Sequence, residues 1–135
     1  MNETLLHKVM VIDDNEIDRF VHHKLLKHHQ ICDEVVECDG GREALDYIGK
    51  TINEGGKEID LILLDLMMPE MDGFAFLSHY KNLRSKLSKA PMIFMLSSTE
   101  DDSDLERVRA NELIIKLLHK PLSPQSLLHA IKIHS

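Results

Sequence analysis

The chain has 135 residues, 43% of them hydrophobic, enough for one domain with a buried core and too few for two domains of ordinary size. Its 16 basic and 23 acidic side chains leave a formal charge of −7, which argues against a nucleic-acid surface and favours cations and basic partners. No run approaches the roughly eighteen apolar residues of a membrane span, and Met1 opens a short polar lead, Asn2 to Thr4, so a cytoplasmic protein is expected.

The first apolar run, Val9–Ile12, has strand length. Behind it Ile17, Phe20, Val21 and Leu25 recur at helical spacing and predict an inward-facing stripe. A second strand is expected over Glu34–Cys38, then a helix carrying Ala44, Leu45, Ile48 and Ile52. Residues Asn53-Glu54-Gly55-Gly56-Lys57 read as a surface loop. Leu61–Leu64 is the third strand, and Phe76, Leu77, Tyr80, Leu83 and Leu87 mark the helix after it. The fourth strand is Met92–Leu96. The helix near Thr99–Asn111 opens on Glu100-Asp101-Asp102, which suits the positive end of a helix dipole, but only Leu105 and Val108 offer it an inward face. It is expected to be the least firmly packed element. The fifth strand is Ile114–Leu118. In the last helix Ser123 is the N-cap, Pro124 takes the first helical position, and Leu127, Leu128 and Ile131 face inward.

Strictly alternating strands and helices imply an α/β fold with a parallel sheet covered on both faces, and most of the strands read as continuously apolar, as such burial requires. Right-handed crossovers leave few topologies for five strands, and the common one is the doubly wound order 2-1-3-4-5. Ligands of that fold bind where the order reverses, at the carboxyl ends of strands one and three.

The polar residues that interrupt the apolar runs fall at those ends. Strand one ends in Asp13-Asp14, strand three in Asp65 and strand four in Ser97-Ser98, while strand five runs into His119-Lys120-Pro121. Singly, each is an ordinary turn or helix cap. Jointly they crowd three carboxylates. Two unit charges 4 Å apart repel by roughly 4 kcal/mol at an effective dielectric near 20, so a proton, a divalent cation or an ammonium must offset them. An all-oxygen ligand set suits Mg²⁺, and Lys120 can supply the ammonium. An aspartate so placed is a nucleophile toward phosphorus, and transfer needs mainly alignment and neutralisation of the phosphoryl oxygens. Ser97 is placed to give a hydroxyl.

These residues resemble the response regulator receiver family over essentially the full chain. The resemblance is carried by Val9-Met10-Val11-Ile12-Asp13-Asp14-Asn15, by Leu63-Leu64-Asp65-Leu66-Met67-Met68-Pro69-Glu70-Met71-Asp72-Gly73, by Met95-Leu96-Ser97-Ser98 and by Lys120-Pro121. It implies a flavodoxin-like (βα)5 fold with Asp65 as the phosphorylated residue. It implies that Asp14, Asp65 and the backbone carbonyl of Met67 coordinate Mg²⁺, with Asp13 acting largely through water. It further implies that Lys120 contacts the phosphoryl group, that Ser97 closes on it, and that the Lys120–Pro121 peptide is cis. The implied phosphodonor is a histidine kinase or a histidine phosphotransfer protein, with no nucleic acid and no membrane as partner. The implied chemistry is limited to the protein's own phosphorylation and dephosphorylation. The expected organisation is a single receiver domain over 1–135 with no output domain, signalling through contact with another protein or by onward relay. The chain departs from the family at Leu117, where Tyr or Phe is usual.

Two other readings share parts of this pattern. A haloacid-dehalogenase-type phosphatase also uses an aspartate after a strand with Mg²⁺, but wants an acid/base two residues on, where this chain has Met67. A flavodoxin-like FMN binder shares the strand order, but Asp13-Asp14-Asn15-Glu16 would repel its phosphate. His22, His23, His28 and His29 read as a solvated, partly cationic helix face. Cys32 and Cys38 read as reduced core or strand-edge thiols, and the methionines as core or loop fillers, with Met67-Met68 shielding the site. The fourth helix, fifth strand and fifth helix are the expected signalling face.

Overall fold

The computed structural model describes residues 4–56 and 58–135. Asn2 and Glu3 of the polar lead and Lys57 of the expected loop lie outside the described residues. Five strands, β1 (Leu6–Ile12), β2 (Cys32–Cys38), β3 (Leu61–Asp65), β4 (Met92–Ser97) and β5 (Lys116–His119), alternate with α1 (Glu16–His28), α2 (Gly41–Glu54), α3 (Gly73–Arg84), α4 (Asp102–Ala110) and α5 (Pro124–His134). The sheet is parallel, in the order β2-β1-β3-β4-β5, as the alternation predicts.

The continuous apolar runs serve two cores at once because side chains alternate across a strand. Met10, Ile12, Ile62, Leu64, Ile93 and Met95 point to one face, where Ala44 and Ile48 of α2 and Phe76, Leu77 and Tyr80 of α3 cover them. Val9, Val11, Leu61, Leu63, Phe94 and Leu96 point to the other, beneath Leu26 of α1 and Leu127, Ala130 and Ile131 of α5. Four helices begin on a side-chain cap. Asn15, Asp72, Asp101 and Ser123 accept from the amides of Asp18, Ala75, Ser103 and Ser126, respectively.

Several boundaries move. Asn53 and Glu54 are the last residues of α2, not loop, and the helix stops at Gly55, whose φ of 71° lies in the left-handed region that glycine tolerates. The expected Thr99–Asn111 helix shortens to α4, with Val108 its one buried side chain. β5 starts at Lys116, two residues later than expected, and Ile115 is exposed. The run Ile114–Leu118 is not buried on both faces because β5 is the edge strand; of its residues only Leu118 is buried. β2, at the opposite edge, exposes Asp33, Glu34 and Glu37, charges that discourage further strand pairing.

The largest correction concerns α1. Ile17, Phe20 and Val21 face solvent at 73%, 59% and 50% exposure. The buried residues are His22 and Leu26, so His22 is a core residue and not part of a solvated cationic face. The face turned inward is Asp18–His22–Leu26, one turn apart each. Asn15 caps the helix straight after β1 and Asp18 reaches Lys120, and these ties rotate α1 away from its apolar stripe. Cys32 and Cys38 sit at the two ends of β2. Burial pushes their thiols up to about 11 and about 12, so neither is a reactive thiolate.

Candidate functional site

The parallel register levels the strand ends that carry the site. Ile12 pairs with Leu64, Asp65 with Leu96 and Ser97 with His119, so Asp13-Asp14, Asp65, Ser97 and Lys120 emerge along one edge of the sheet. Asp13, Asp14 and Asp65 each present a carboxylate oxygen within 4.8 Å of the others. Asp13 and Asp65 are buried and Asp14 is exposed. The Asn15 amide donates to Asp13 Oδ1 at 2.9 Å, and Arg19 Nη1 to the Asp13 carbonyl at 2.7 Å.

Lys120 turns its ammonium into this cluster. Its Nζ donates to Asp13 Oδ2 at 2.8 Å and to Asp18 Oδ2 at 3.0 Å, and lies 3.3 Å from Asp65 Oδ1. The Lys120–Pro121 peptide is cis. The Lys120 amide donates to the Ser97 carbonyl at 2.9 Å, which ties the end of β5 to the end of β4. Ser97 is fully buried, and its Oγ accepts from the Thr99 amide at 2.9 Å. Met67 is 63% exposed beside the site while Met68 packs into the core, so only Met68 is enclosed. Gly73, at the start of α3, is a close approach. A Cβ there would stand 3.0 Å from the Asp65 carbonyl oxygen and from Met95.

The electrostatics follow from burial and from too many carboxylates. Burial pushes the Asp65 carboxyl up to about 6, the Asp13 and Asp14 charges add to the rise, and Lys120 pulls against it. Burial alone would lower Lys120, but Asp13, Asp18 and Asp65 outweigh it and hold the ammonium charged. His22 is lowered by burial and by Lys120, against Asp13 and Asp18. One ammonium does not neutralise three clustered carboxylates. The donors are hard oxygens, and the set therefore fits a small divalent cation such as Mg²⁺.

The family model described as "Response regulator receiver domain" matches residues 9–132, which contain every residue of this cluster. The chain belongs to the response regulator receiver family. This receiver is 34% identical to the two-component response regulator ORR1 of Oryza sativa subsp. japonica over 117 residues, covering 82% of this chain and 49% of that protein. The chain thus spans about half the length of that relative. A response regulator receiver protein from Dyadobacter fermentans has the same fold at TM-score 0.80 and 34% identity, with 94% of this chain and 96% of that one covered. The receiver domain of the histidine kinase CKI1 from Arabidopsis thaliana, solved with Mg²⁺ and BeF3−, aligns at TM-score 0.76 and 26% identity over 94% and 90% of the two chains. The family favours neither the phosphatase nor the flavin reading.

Of the strand-end residues predicted from the sequence, the structure brings Asp13, Asp14, Asp65 and Lys120 together and sets Ser97 at the end of the neighbouring strand. Asp18 and Arg19 were missed because the first helix was read by its apolar stripe, and His22 was assigned to a solvated face. The signal was present: Asp18, His22 and Leu26 stand one turn apart, directly after the Asp13-Asp14-Asn15 motif.

Proposed function

We propose that this receiver accepts a phosphoryl group on Asp65 from a phosphohistidine of a histidine kinase or phosphotransfer protein. The observation that carries this reading is the Lys120 ammonium 3.3 Å from the Asp65 carboxylate inside an acidic cluster. An Asp65 oxygen attacks phosphorus, the P–N bond of the donor breaks, and its electron pair stays on the imidazole, which is left neutral or takes a proton from water. Asp13, Asp14, Asp65 and the Met67 backbone carbonyl would hold Mg²⁺, which neutralises charge on the phosphoryl oxygens. Lys120 holds a second oxygen as a point charge. Ser97 donates its O–H to a third, since the bond from the Thr99 amide uses its Oγ only as an acceptor. Its own phosphorylation and dephosphorylation are the extent of its catalysis in this reading, and its setting is the cytoplasm. Among the described residues no helix is long and apolar enough to cross a membrane.

The test is direct. A small phosphodonor with Mg²⁺ should add about 80 Da, mapped by peptide analysis to Asp65. Labelling elsewhere, or equal labelling with the metal chelated, would overturn the assignment.

The apolar stripe that α1 exposes, Ile17, Phe20 and Val21, begins three residues after Asp14 and suits the docking of a phosphodonor protein. Phe20→Ala should change stability by less than about 0.5 kcal/mol, since the ring is already 59% exposed. It should slow transfer from a phosphorylated histidine protein while small-donor labelling keeps its rate. Equal slowing with both donors would place Phe20 in the chemistry and not in docking.

Output is best assigned to α4, β5 and α5. Ser97 Oγ is bonded to the Thr99 amide, and Thr99 Oγ1 accepts from the amide of Asp101, the N-cap of α4. A turn of the Ser97 hydroxyl is thereby linked to the start of α4, the helix with a single buried side chain. Leu117, which replaces the usual aromatic, lines an open cavity of about 350 Å³ between α4 and β5 that leaves room for repacking.

A further inference from the structure

An ammonium has three donors, and Lys120 spends them on three carboxylates. Its Nζ is closest to Asp13 at 2.8 Å, then Asp18 at 3.0 Å, and furthest from Asp65 at 3.3 Å. A phosphoryl oxygen on Asp65 can engage Lys120 only if one of these contacts gives way.

The three differ in what release leaves behind. Asp13 is 1% exposed, and its other oxygen is already held by the Asn15 amide, so stripping it of Lys120 leaves a buried charge. Asp65 is the acceptor, and forming the acyl phosphate consumes its carboxylate charge. Asp18 is 40% exposed and rehydrates readily. It also lies in the first turn of α1, where the helix dipole stabilises a carboxylate whether or not Lys120 is near. One turn on, His22 is buried with an Nδ1 that has no hydrogen-bond partner among the described residues, while Asp18 reaches Lys120 directly.

The geometry points to Asp18 as a positioning residue that holds Lys120 back from Asp65 in the unmodified protein and yields it to the phosphoryl group. This inference rests on Asp65 being the phosphoryl acceptor. Asp18 touches neither the donor nor phosphorus; it acts through Lys120.

The test is the rate of Asp65 labelling by phosphoramidate and Mg²⁺ in five versions of this chain: wild type, Asp18→Asn, Asp18→Glu, Lys120→Ala and Lys120→Ala with Asp18→Asn. Peptide mapping of the wild type comes first, and absence of label on Asp65 would overturn the acceptor reading itself. With that label present, Asp18→Asn should react about twofold to fivefold faster, the range of a partly exposed ion pair. Asp18→Glu, which keeps the charge, should return to the wild-type rate. In the Lys120→Ala background Asp18→Asn should change nothing, because the interaction it relieves is gone. The inference is overturned by an Asp18→Asn rate equal to or below wild type, by an Asp18→Glu rate as fast as Asp18→Asn, or by equal acceleration without Lys120. The last result would assign the effect to repulsion between Asp18 and the phosphodonor.

Discussion

Exchanging Asp65 for asparagine should abolish phosphoryl uptake and, in the metal-free protein at pH 7, stabilise the fold by about 3 kcal/mol. The two effects have one cause. Asp65 is a buried nucleophile beside the Asp13 charge, and its carboxyl stands at about 6 against an ordinary 3.8. Between those values the folded protein binds more protons than the unfolded chain. The ionised carboxylate therefore weakens the fold above pH 6, and the penalty is relieved as pH falls through 6 toward 4. Asparagine has no charge to bury, so its advantage should be full at pH 7 to 8, shrink through pH 6 and be gone near pH 4. Urea denaturation of both proteins in chelator across that range measures it. Comparison at each pH cancels the opposite acid-side loss from groups such as Asp60, whose burial penalty is outweighed by the Lys8 and His7 amides and by Lys89. A variant less stable than wild type at pH 7 would show that Lys120 attraction, and not burial and carboxylate repulsion, governs this carboxyl.

Removing Lys120 should act in the opposite direction. Lys120→Ala leaves Asp13, 1% exposed, without the ammonium 2.8 Å away, beside two more carboxylates. Breaking a buried pair from one side costs about 3 kcal/mol, and the loss should be largest in chelator. Mg²⁺ should restore part of it by binding the folded form alone. The labelling rate of Asp65 should fall about a hundredfold, the usual effect of removing one group that stabilises charge in the transition state. Denaturation with and without Mg²⁺, alongside the labelling rate, separates the two roles. A stability loss under about 1 kcal/mol with undiminished labelling would remove Lys120 from the site.

The fold was legible because a buried parallel strand has no freedom to hide its composition. Val9–Ile12, Leu61–Leu64 and Met92–Leu96 must be apolar on both faces, and the polar residue that ends each run must lie at the sheet's edge. That rule found Asp13, Asp14, Asp65, Ser97 and Lys120 without any knowledge of distance. It worked less well for β5, where an edge strand needs burial on fewer sides and Ile114 and Ile115 lie outside it.

By itself the sequence determined the alternation of strands and helices, the two-sided core and the identity of the strand-end residues, since periodicity and chain direction are local properties; the order 2-1-3-4-5 was only the common topology for such a chain. Only the tertiary structure decided which way α1 faces, and with it the partners of Lys120. A helix with an apolar stripe can still turn that stripe to solvent when a cap and an ion pair at its first turn oppose it. Asn15 and Asp18 supply both here, leaving Ile17, Phe20 and Val21 outside and His22 within. The one-turn spacing of Asp18, His22 and Leu26 marks a face that can turn inward, but the contact that selects it joins residues about a hundred positions apart.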